Sequence, residues 1–362
     1  MIHLINSNES VQFFLRMFAE DIEKSSVDEK FITVDTEFIR ENLEYPLLCL
    51  IQIATSENAF IIDPLAIDIS FLNKIFSNEK LPKIFHSAIQ DIEILHNSNI
   101  FIKNIYDTQL YEMLLSTKEQ ISYQSIVFKY LRKRLDKDYS LSDWKKRPLS
   151  KKQIKYSVGD VTFLREIYKR QKKKLEDLNR LNWLLPEMKN LEQMHTNTDD
   201  GNIKIFHQLY EWIEKRAKEK NTNAKSIADE HAIKRICKKG KPYISKMLKY
   251  RGLINDDFKD FLIFAKEIVP DDDISDHTKH TPIVGALKLI LEICSEKNNV
   301  APMIIANTNE LEKLVCDFKS SNIDIRCING WRKEIFGKYA LDFLNKKITL
   351  AFNNDQLGFI EQ

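Results

Sequence analysis

Asp35 and Glu37 stand two residues apart at the end of a β-branched run, Phe31–Asp35 (FITVD). In a strand, residues i and i+2 point to the same face. Both carboxylates would therefore project together from the end of a sheet, an arrangement that can hold a divalent cation. The pattern D-x-E also occurs at Asp21-Ile22-Glu23 and Asp91-Ile92-Glu93. Those two fall in segments of helical spacing, where i and i+2 diverge by about 200°. Strand context thus selects Asp35 and Glu37. Asp91 follows the apolar run Lys83–His86 (KIFH), near the start of a helical pattern. Tyr156 and Asp160 are spaced i and i+4 within KYSVGDVTFL and share one face of a helix. A phenol there can position a water near a metal that the carboxylate holds.

Each piece has a plain alternative when taken alone. The alternatives are a solvated strand end, an acid complementing a helix macrodipole, and a core tyrosine beside an unrelated surface aspartate. Together the pieces suit phosphodiester hydrolysis. Two metals roughly 3.5–4 Å apart can activate a water and stabilise the leaving oxygen, a task for about four carboxylates. Magnesium prefers oxygen ligands, so His86 reads as a packed or hydrogen-bonded side chain and not as a ligand.

The elements that must position these groups read as α/β at first. Phe31–Asp35, Leu47–Ala54 (LLCLIQIA) and Ala59–Asp63 (AFIID) follow at short spacing, with the polar Thr55–Asn58 suited to a hairpin. KIFH and Asn104–Asp107 (NIYD) come later, separated by helical spacing. This predicts a mixed sheet with helices on its faces. From about Asp107 to Lys189 the pattern is helical, and Asn190–Asn202 reads as a linker. Ile203–Val269 reads as a small helical bundle with a Lys-Gly-Lys-Pro turn at Lys239–Pro242. Pro270–Thr281 is a second linker, Pro282–Lys346 is mostly helical, and Ile348–Phe352 (ITLAF) reads as a strand.

Composition narrows the function. The chain has 362 residues, and at roughly 100–200 residues per domain this suggests two or three domains. Hydrophobic residues make up 43% and charged residues 30%, enough for ordinary cores. With a net charge of +2, affinity for nucleic acid must come from local clustering. The five cysteines form no C-x-x-C pair, which argues against a zinc site or disulfide framework. Eight glycines, none in a P-loop or G-x-G-x-x-G pattern, speak against a nucleotide cofactor. No basic-then-apolar leader opens the chain and no run approaches the ~18 apolar residues of a membrane span, so the cytoplasm is expected.

The motifs resemble those of the DEDD exonuclease superfamily in its tyrosine subtype, and within it the ribonuclease D family. They stand here as VDTEF extended by IRENLEYPLLCLIQIA, then IFHSAIQDIEIL, then SDWKKRPLSKKQIKYSVGDVTFL, with YDTQLYEMLL between the second and third. The resemblance covers roughly residues 1–190 and implies a ribonuclease H-like mixed sheet with flanking helices. It implies Asp35, Glu37, Asp91 and Asp160 as ligands of two Mg2+ ions, with Mn2+ as the alternative, and Tyr156 as the residue that orients or helps activate the attacking water. The histidine subtype carries His where this chain has Tyr156. Two departures touch no ligand: Leu43 replaces a small polar residue, and Ser157–Gly159 replaces an alanine-rich run. Residues 203–269 and 282–362 resemble HRDC domains, small all-α helical bundles, the second through APMIIANTNELEKL and GWRKEIFG.

The family implies a 3′→5′ exoribonuclease that trims 3′ ends of structured RNA such as tRNA precursors and releases nucleoside 5′-monophosphates; a monomer is expected. Its rivals are a DNA exonuclease of the same superfamily and a scaffold that binds RNA without cutting it. For substrate contacts, Lys129–Lys155 carries eleven Lys or Arg against three Asp, with Tyr130, Tyr139 and Trp144 interleaved. Such a mixture suits single-stranded nucleic acid; a solvated basic face with aromatics turned inward is the alternative. Phe38, Trp144, Lys145 and Arg147 are the candidates nearest the site. A second basic stretch, Lys238 to Arg251, reads more simply as a solvated face, and Trp331 as a core residue.

Overall fold

The near-continuous apolar run Leu47–Ala54 predicts a strand covered on both faces, and it lies inside the sheet. A computed structural model of the chain describes residues 1–39, 46–135, 142–193, 201–220, 222–228, 230–249, 256–269, 281–320, 323–353 and 356–361. Leu43, Tyr139, Arg251 and most of both linkers lie outside the described residues. The strands are β1 (Ile2–Ile5), β2 (Ile32–Ile39), β3 (Leu47–Ala54), β4 (Ala59–Ile62), β5 (Lys83–Phe85) and β6 (Ile105–Asp107), in the order β1-β4-β3-β2-β5-β6. β3 pairs antiparallel with both neighbours, and every other pairing is parallel. This is the expected mixed sheet. β1 was not among the strands read from the sequence.

The helices of this region are α1 (Asn8–Lys24), α2 (Asn73–Phe76), α3 (Ile89–Asn97), α4 (Thr108–Met113), α5 (Tyr123–Leu131), α6 (Lys151–Asp177) and α7 (Leu185–Gln193). Strand alternation divides the sheet's side chains. Ile32, Val34, Ile51, Ile53 and Phe60 join the main core with Phe14 of α1. Leu50, Ala54, Ala59 and Ile61 meet Trp144, Val158 and Val161 in smaller clusters beneath α6.

The described residues form two compact units. Residues 1–39, 47–193 and 281–361 make one, and those between 201 and 269 make the other. The second unit is α8 (Gly201–Lys220), α9 (Ala224–Ile227), α10 (Glu230–Leu248) and α11 (Asp256–Ile268), around Leu209, Ile213, Ile233, Ile236 and Phe261. Gly240 breaks α10 with φ 61°, a conformation glycine adopts readily, and Pro242 follows, as the Lys-Gly-Lys-Pro turn predicts.

The C-terminal residues of the first unit are α12 (Thr281–Asn298), α13 (Pro302–Ile305), α14 (Thr308–Asp317), α15 (Gly330–Arg332), a π turn (Lys333–Gly337) and α16 (Lys338–Leu344). A hairpin of β7 (Ile348–Asn353) and β8 (Gln356–Glu361) ends it. The region is therefore helix-rich and not purely α. Its core is continuous with that of the sheet domain. In GWRKEIFG, a Cβ on Gly337 would stand 2.9 Å from both the Cys327 carbonyl oxygen and Ile328 Cα, so only glycine fits. No described helix is long and apolar enough to cross a membrane.

Candidate active site

β2 delivers Asp35 and Glu37 on the face that packs against α6, beside Thr33, whose Oγ1 donates to the Val161 carbonyl at 2.8 Å. A bulge follows directly: Glu37 pairs with Leu50, but Phe38 pairs with Leu48. Bulges re-aim side chains at strand ends. α6 starts at a capping box made by Ser150 and Gln153, and its second and third turns carry Tyr156 and Asp160. The helix is held in place from two sides. The Tyr123 hydroxyl donates to the Asp160 carbonyl at 2.5 Å and to that of Gly159 at 3.0 Å. The Arg165 guanidinium donates to the Phe31 carbonyl at 2.7 Å and to Glu29 Oε2 at 2.9 Å. An added Cβ at Gly159 would meet Phe163 at an ordinary 3.5 Å, so this glycine marks no close approach.

Carboxylate oxygens of Asp35, Glu37 and Asp160 lie within 4.8 Å of one another. Asp91, on the first turn of α3, is buried beside them and accepts a hydrogen bond from Thr36 Oγ1 at 2.5 Å. It stands outside the tight trio but close enough to raise the pKa of Glu37. All four carboxyls are pushed up. Burial and then Asp160 raise Asp35; burial and then Asp35 raise Asp91. Burial, Asp35, Asp160 and Asp91 push Glu37 up to about 10, and burial pushes Asp160 up to about 8. No lysine or arginine stands among the groups that shift them. Hard oxygen donors crowded together without a side-chain cation are what a divalent ion fits. Burial, Asp160, Glu37 and Asp35 also raise the Tyr156 hydroxyl, which therefore keeps its proton at neutral pH.

The sequence does not single out the groups that hold this constellation. Thr36 is one. Asp107 is another: its carboxylate accepts from the N–H groups of Ser87 at 2.8 Å, Ala88 at 2.9 Å and Gln109 at 2.8 Å, fixing the junction that leads into α3. His86 is hydrogen-bonded as expected, to Thr108 Oγ1 at 2.9 Å and the Ile121 carbonyl at 3.0 Å. Gln52 pairs across the ladder with Asp35, is fully buried, and neither of its amide atoms has a hydrogen-bond partner among the described residues. Its signal was a lone amide in an apolar run.

The substrate-contact candidates fare unevenly. Trp144 is 2% exposed and packs with Cys49, Leu50 and Ile61, its ring centroid 6.1 Å from that of Tyr156. It braces Tyr156, and its face is not open to a base. Arg147 is also committed elsewhere. It binds Asp63 through Nε at 2.5 Å and Nη2 at 2.8 Å, and donates to the Cys49 carbonyl at 2.8 Å, tying down the bulge. Phe38 is half-buried against the main core, and Lys145 is half-buried at a turn where its N–H donates to Asp143. A cleft of about 720 Å³ opens over Tyr156 and Asp160, lined also by Lys133, Arg134, Lys152, Lys155 and Phe163.

A mixed sheet with carboxylates at the end of its central strand, faced by a tyrosine and an aspartate on one helix, defines a nuclease of the 3′-5′ exonuclease class. A family model described as 3′-5′ exonuclease matches residues 11–176. The chain is 32% identical to ribonuclease D of Bartonella henselae over 91% of its own length and 88% of that protein. It is 31% identical to ribonuclease D of Sphingobium indicum over 95% of each. The crystal structure of Escherichia coli RNase D superposes with a TM-score of 0.68 at 21% identity, covering 95% of this chain and 98% of that one. The catalytic core of RRP6 from Trypanosoma brucei does so with a TM-score of 0.50 at 20% identity, over 76% and 81%. The chain belongs to the ribonuclease D family and is a hydrolase, an exoribonuclease acting on RNA.

Proposed function

We propose that the chain removes nucleotides one at a time from the 3′ ends of structured RNA such as tRNA precursors, releasing nucleoside 5′-monophosphates, as a cytoplasmic monomer. The observation that carries this is the trio Asp35, Glu37 and Asp160, with ligand atoms within 4.8 Å of one another and Asp91 beside them. The RNA class is supported by the ribonuclease D relatives and by the E. coli structure, described as an exoribonuclease involved in structured RNA processing. Asp35, Glu37, Asp91 and Asp160 would hold two divalent cations, magnesium or manganese. Such ions, when bound, lower the pKa of a water and neutralise charge on the leaving oxygen. Asp35 feels the charge of Asp160 and in turn raises Asp91, so it is linked electrostatically to both. Thr36 holds the Asp91 carboxylate in one orientation. Tyr156, retaining its proton, donates a hydrogen bond that orients the attacking water. The helical segments 203–269 and 282–362 are assigned as HRDC-like modules.

The test is digestion of a 3′-extended tRNA with and without magnesium, with product lengths resolved, beside a single-stranded DNA of matched sequence. Stepwise shortening from the 3′ end that stops in EDTA is expected, with RNA cut faster than DNA. Asp35→Asn should lose at least about 10³-fold in rate, of the order removed when electrostatic stabilisation at a reacting centre is lost, while binding RNA nearly as before. Full activity in that variant would overturn the ligand assignment.

A further inference from the structure

A second cleft, of about 520 Å³, adjoins the active-site cleft. The two share Arg134. Lys118, Ser122, Ser125, Phe128, Lys129 and Arg132 line it besides Arg134. Among the described residues that line it there is no carboxylate. Lys129 is paired to the buried Glu112, so the charge available to a ligand rests on Lys118, Arg132 and Arg134. The guanidinium carbons of Arg132 and Arg134 stand 5.8 and 6.0 Å from the Phe128 ring centroid, and that ring is 44% exposed. The active-site cleft repeats the pairing, with Lys133 Nζ 4.5 Å from the Phe163 centroid.

Arg132 ends α5 with φ 59°, in the left-handed region where helices usually place glycine. An arginine there sacrifices some backbone stability to keep a cation, and the turn it makes sends Lys133 and Arg134 toward the active site. Trp144 and Arg147, the groups first expected to contact substrate, are buried or engaged. Exposed cations, Lys118, Arg132 and Arg134, and an exposed ring, Phe128, lie together in this cleft.

We propose that this second cleft binds the single-stranded RNA just 5′ of the nucleotides held over the carboxylates. Lys118, Arg132 and Arg134 contact successive phosphates and Phe128 stacks on a base. Two observations select single-stranded polyanion over a small anion: the cleft shares Arg134 with the one that opens over Tyr156 and Asp160, and cations stand beside an exposed ring, the pattern that grips backbone and base together. The proposal rests on the exoribonuclease reading and sharpens it, since it predicts a length of tail below which the cleft is not used.

The test uses the full chain and the double variant Lys118→Gln/Arg132→Gln, both residues exposed and confined to the second cleft. Fluorescein-labelled 3-mer and 12-mer oligoribonucleotides are bound in EDTA across a salt series, then hydrolysed in magnesium. We expect the 12-mer Kd to rise about tenfold. The slope of log K against log salt should fall by about 1.4, two contacts at roughly 0.7 each for a single strand. Hydrolysis of the 3-mer should be unchanged. Phe128→Ala should weaken the 12-mer with no change in slope. An unaltered 12-mer Kd and slope in the double variant would overturn the proposal, and so would an equal loss on the 3-mer. Because binding is read without turnover, a wild type that binds the 12-mer as described but cuts nothing in magnesium sinks the exonuclease reading alone.

Discussion

The Glu37 carboxyl is pushed up to about 10 and that of Asp160 to about 8, against unfolded values of roughly 4. At these two groups the folded, metal-free protein therefore binds more protons than the unfolded chain. The stability these groups allow is full below pH ~4 and is lost as pH rises through their folded values. Two outcomes follow at the scale of single residues. The melting temperature in EDTA should fall between pH 6 and 9, while the rise caused by excess magnesium, which binds the folded state and stabilises it by mass action, should grow over the same range. Asp160→Asn should raise the metal-free Tm at pH 8 by a few degrees, about 1 kcal/mol being worth roughly 2–4 °C in a domain of this size, while abolishing turnover. A magnesium effect that stays flat with pH would contradict the account. Tyr156 makes a separate prediction. Since it keeps its proton, Tyr156→Phe removes a donated hydrogen bond and not a base. kcat should drop about 100-fold, the low end of the roughly 10²–10³ lost with one hydrogen-bond donor to the transition state, with KM little changed, as for an interaction made only in the transition state, and the pH profile unmoved. A shifted profile would make the tyrosine a titrating participant.

At the scale of elements, the decisive piece is α6, whose 27 residues carry Tyr156 and Asp160 in the first turns and bury Leu164, Tyr168 and Leu175 in the main core further along. Its placement sets the distance from Asp160 to Asp35. Arg165, near the middle of the helix, anchors it by donating to the Phe31 and Glu29 carbonyls and to the Glu29 carboxylate, its guanidinium carbon 3.9 Å from the Phe31 ring centroid. Arg165→Ala leaves buried carbonyls unpaired, so a loss of about 2–4 kcal/mol is expected in chemical denaturation. The surviving folded enzyme should also turn over more slowly at saturating magnesium. Unchanged stability would mean that packing alone seats the helix. Much of this level was legible in the sequence: Leu47–Ala54 was bounded to the residue, because an apolar run broken only by Gln52, with polar residues on both sides, stands out from its surroundings. β1 was missed because four residues with two exposed apolar side chains carry no period to detect. The carboxylates were legible by motif order and strand context. Gln52 and Asp107 were not, because their roles depend on partners distant in sequence. Arg147 and Trp144 misled for the same reason. A basic or aromatic residue beside an active site looks available until its buried partners, here Asp63, Cys49 and Leu50, are known.

At the scale of the whole molecule, the C-terminal residues are part of the nuclease body. The Ala301 N–H donates to the Met113 carbonyl at 2.7 Å, Asn299 donates to that of Leu115 at 2.9 Å, and Arg180 donates to that of Asn298 at 2.8 Å. Trp183 and Trp331 stack in parallel with centroids 4.5 Å apart, and the Trp331 Nε1 donates to the Trp183 carbonyl at 3.2 Å. Arg180 and Arg332 lie over the rings of Trp183 and Trp331 at 5.1 and 4.2 Å, and Arg332 is also paired with Glu187 of α7. The residues from 201 to 269 have a core of their own, so two independent transitions are expected in calorimetry. Loss of nuclease activity should track the larger one. Trp331→Ala removes the stack, an aromatic burial and a hydrogen bond, a cost of about 3–5 kcal/mol. It should lower the Tm of that larger transition by roughly 6–20 °C and leave the smaller one in place, even though Trp331 and the carboxylates are far apart in the chain. If Trp331→Ala moves neither transition, or moves only the smaller one, the C-terminal residues do not fold as one body with the sheet.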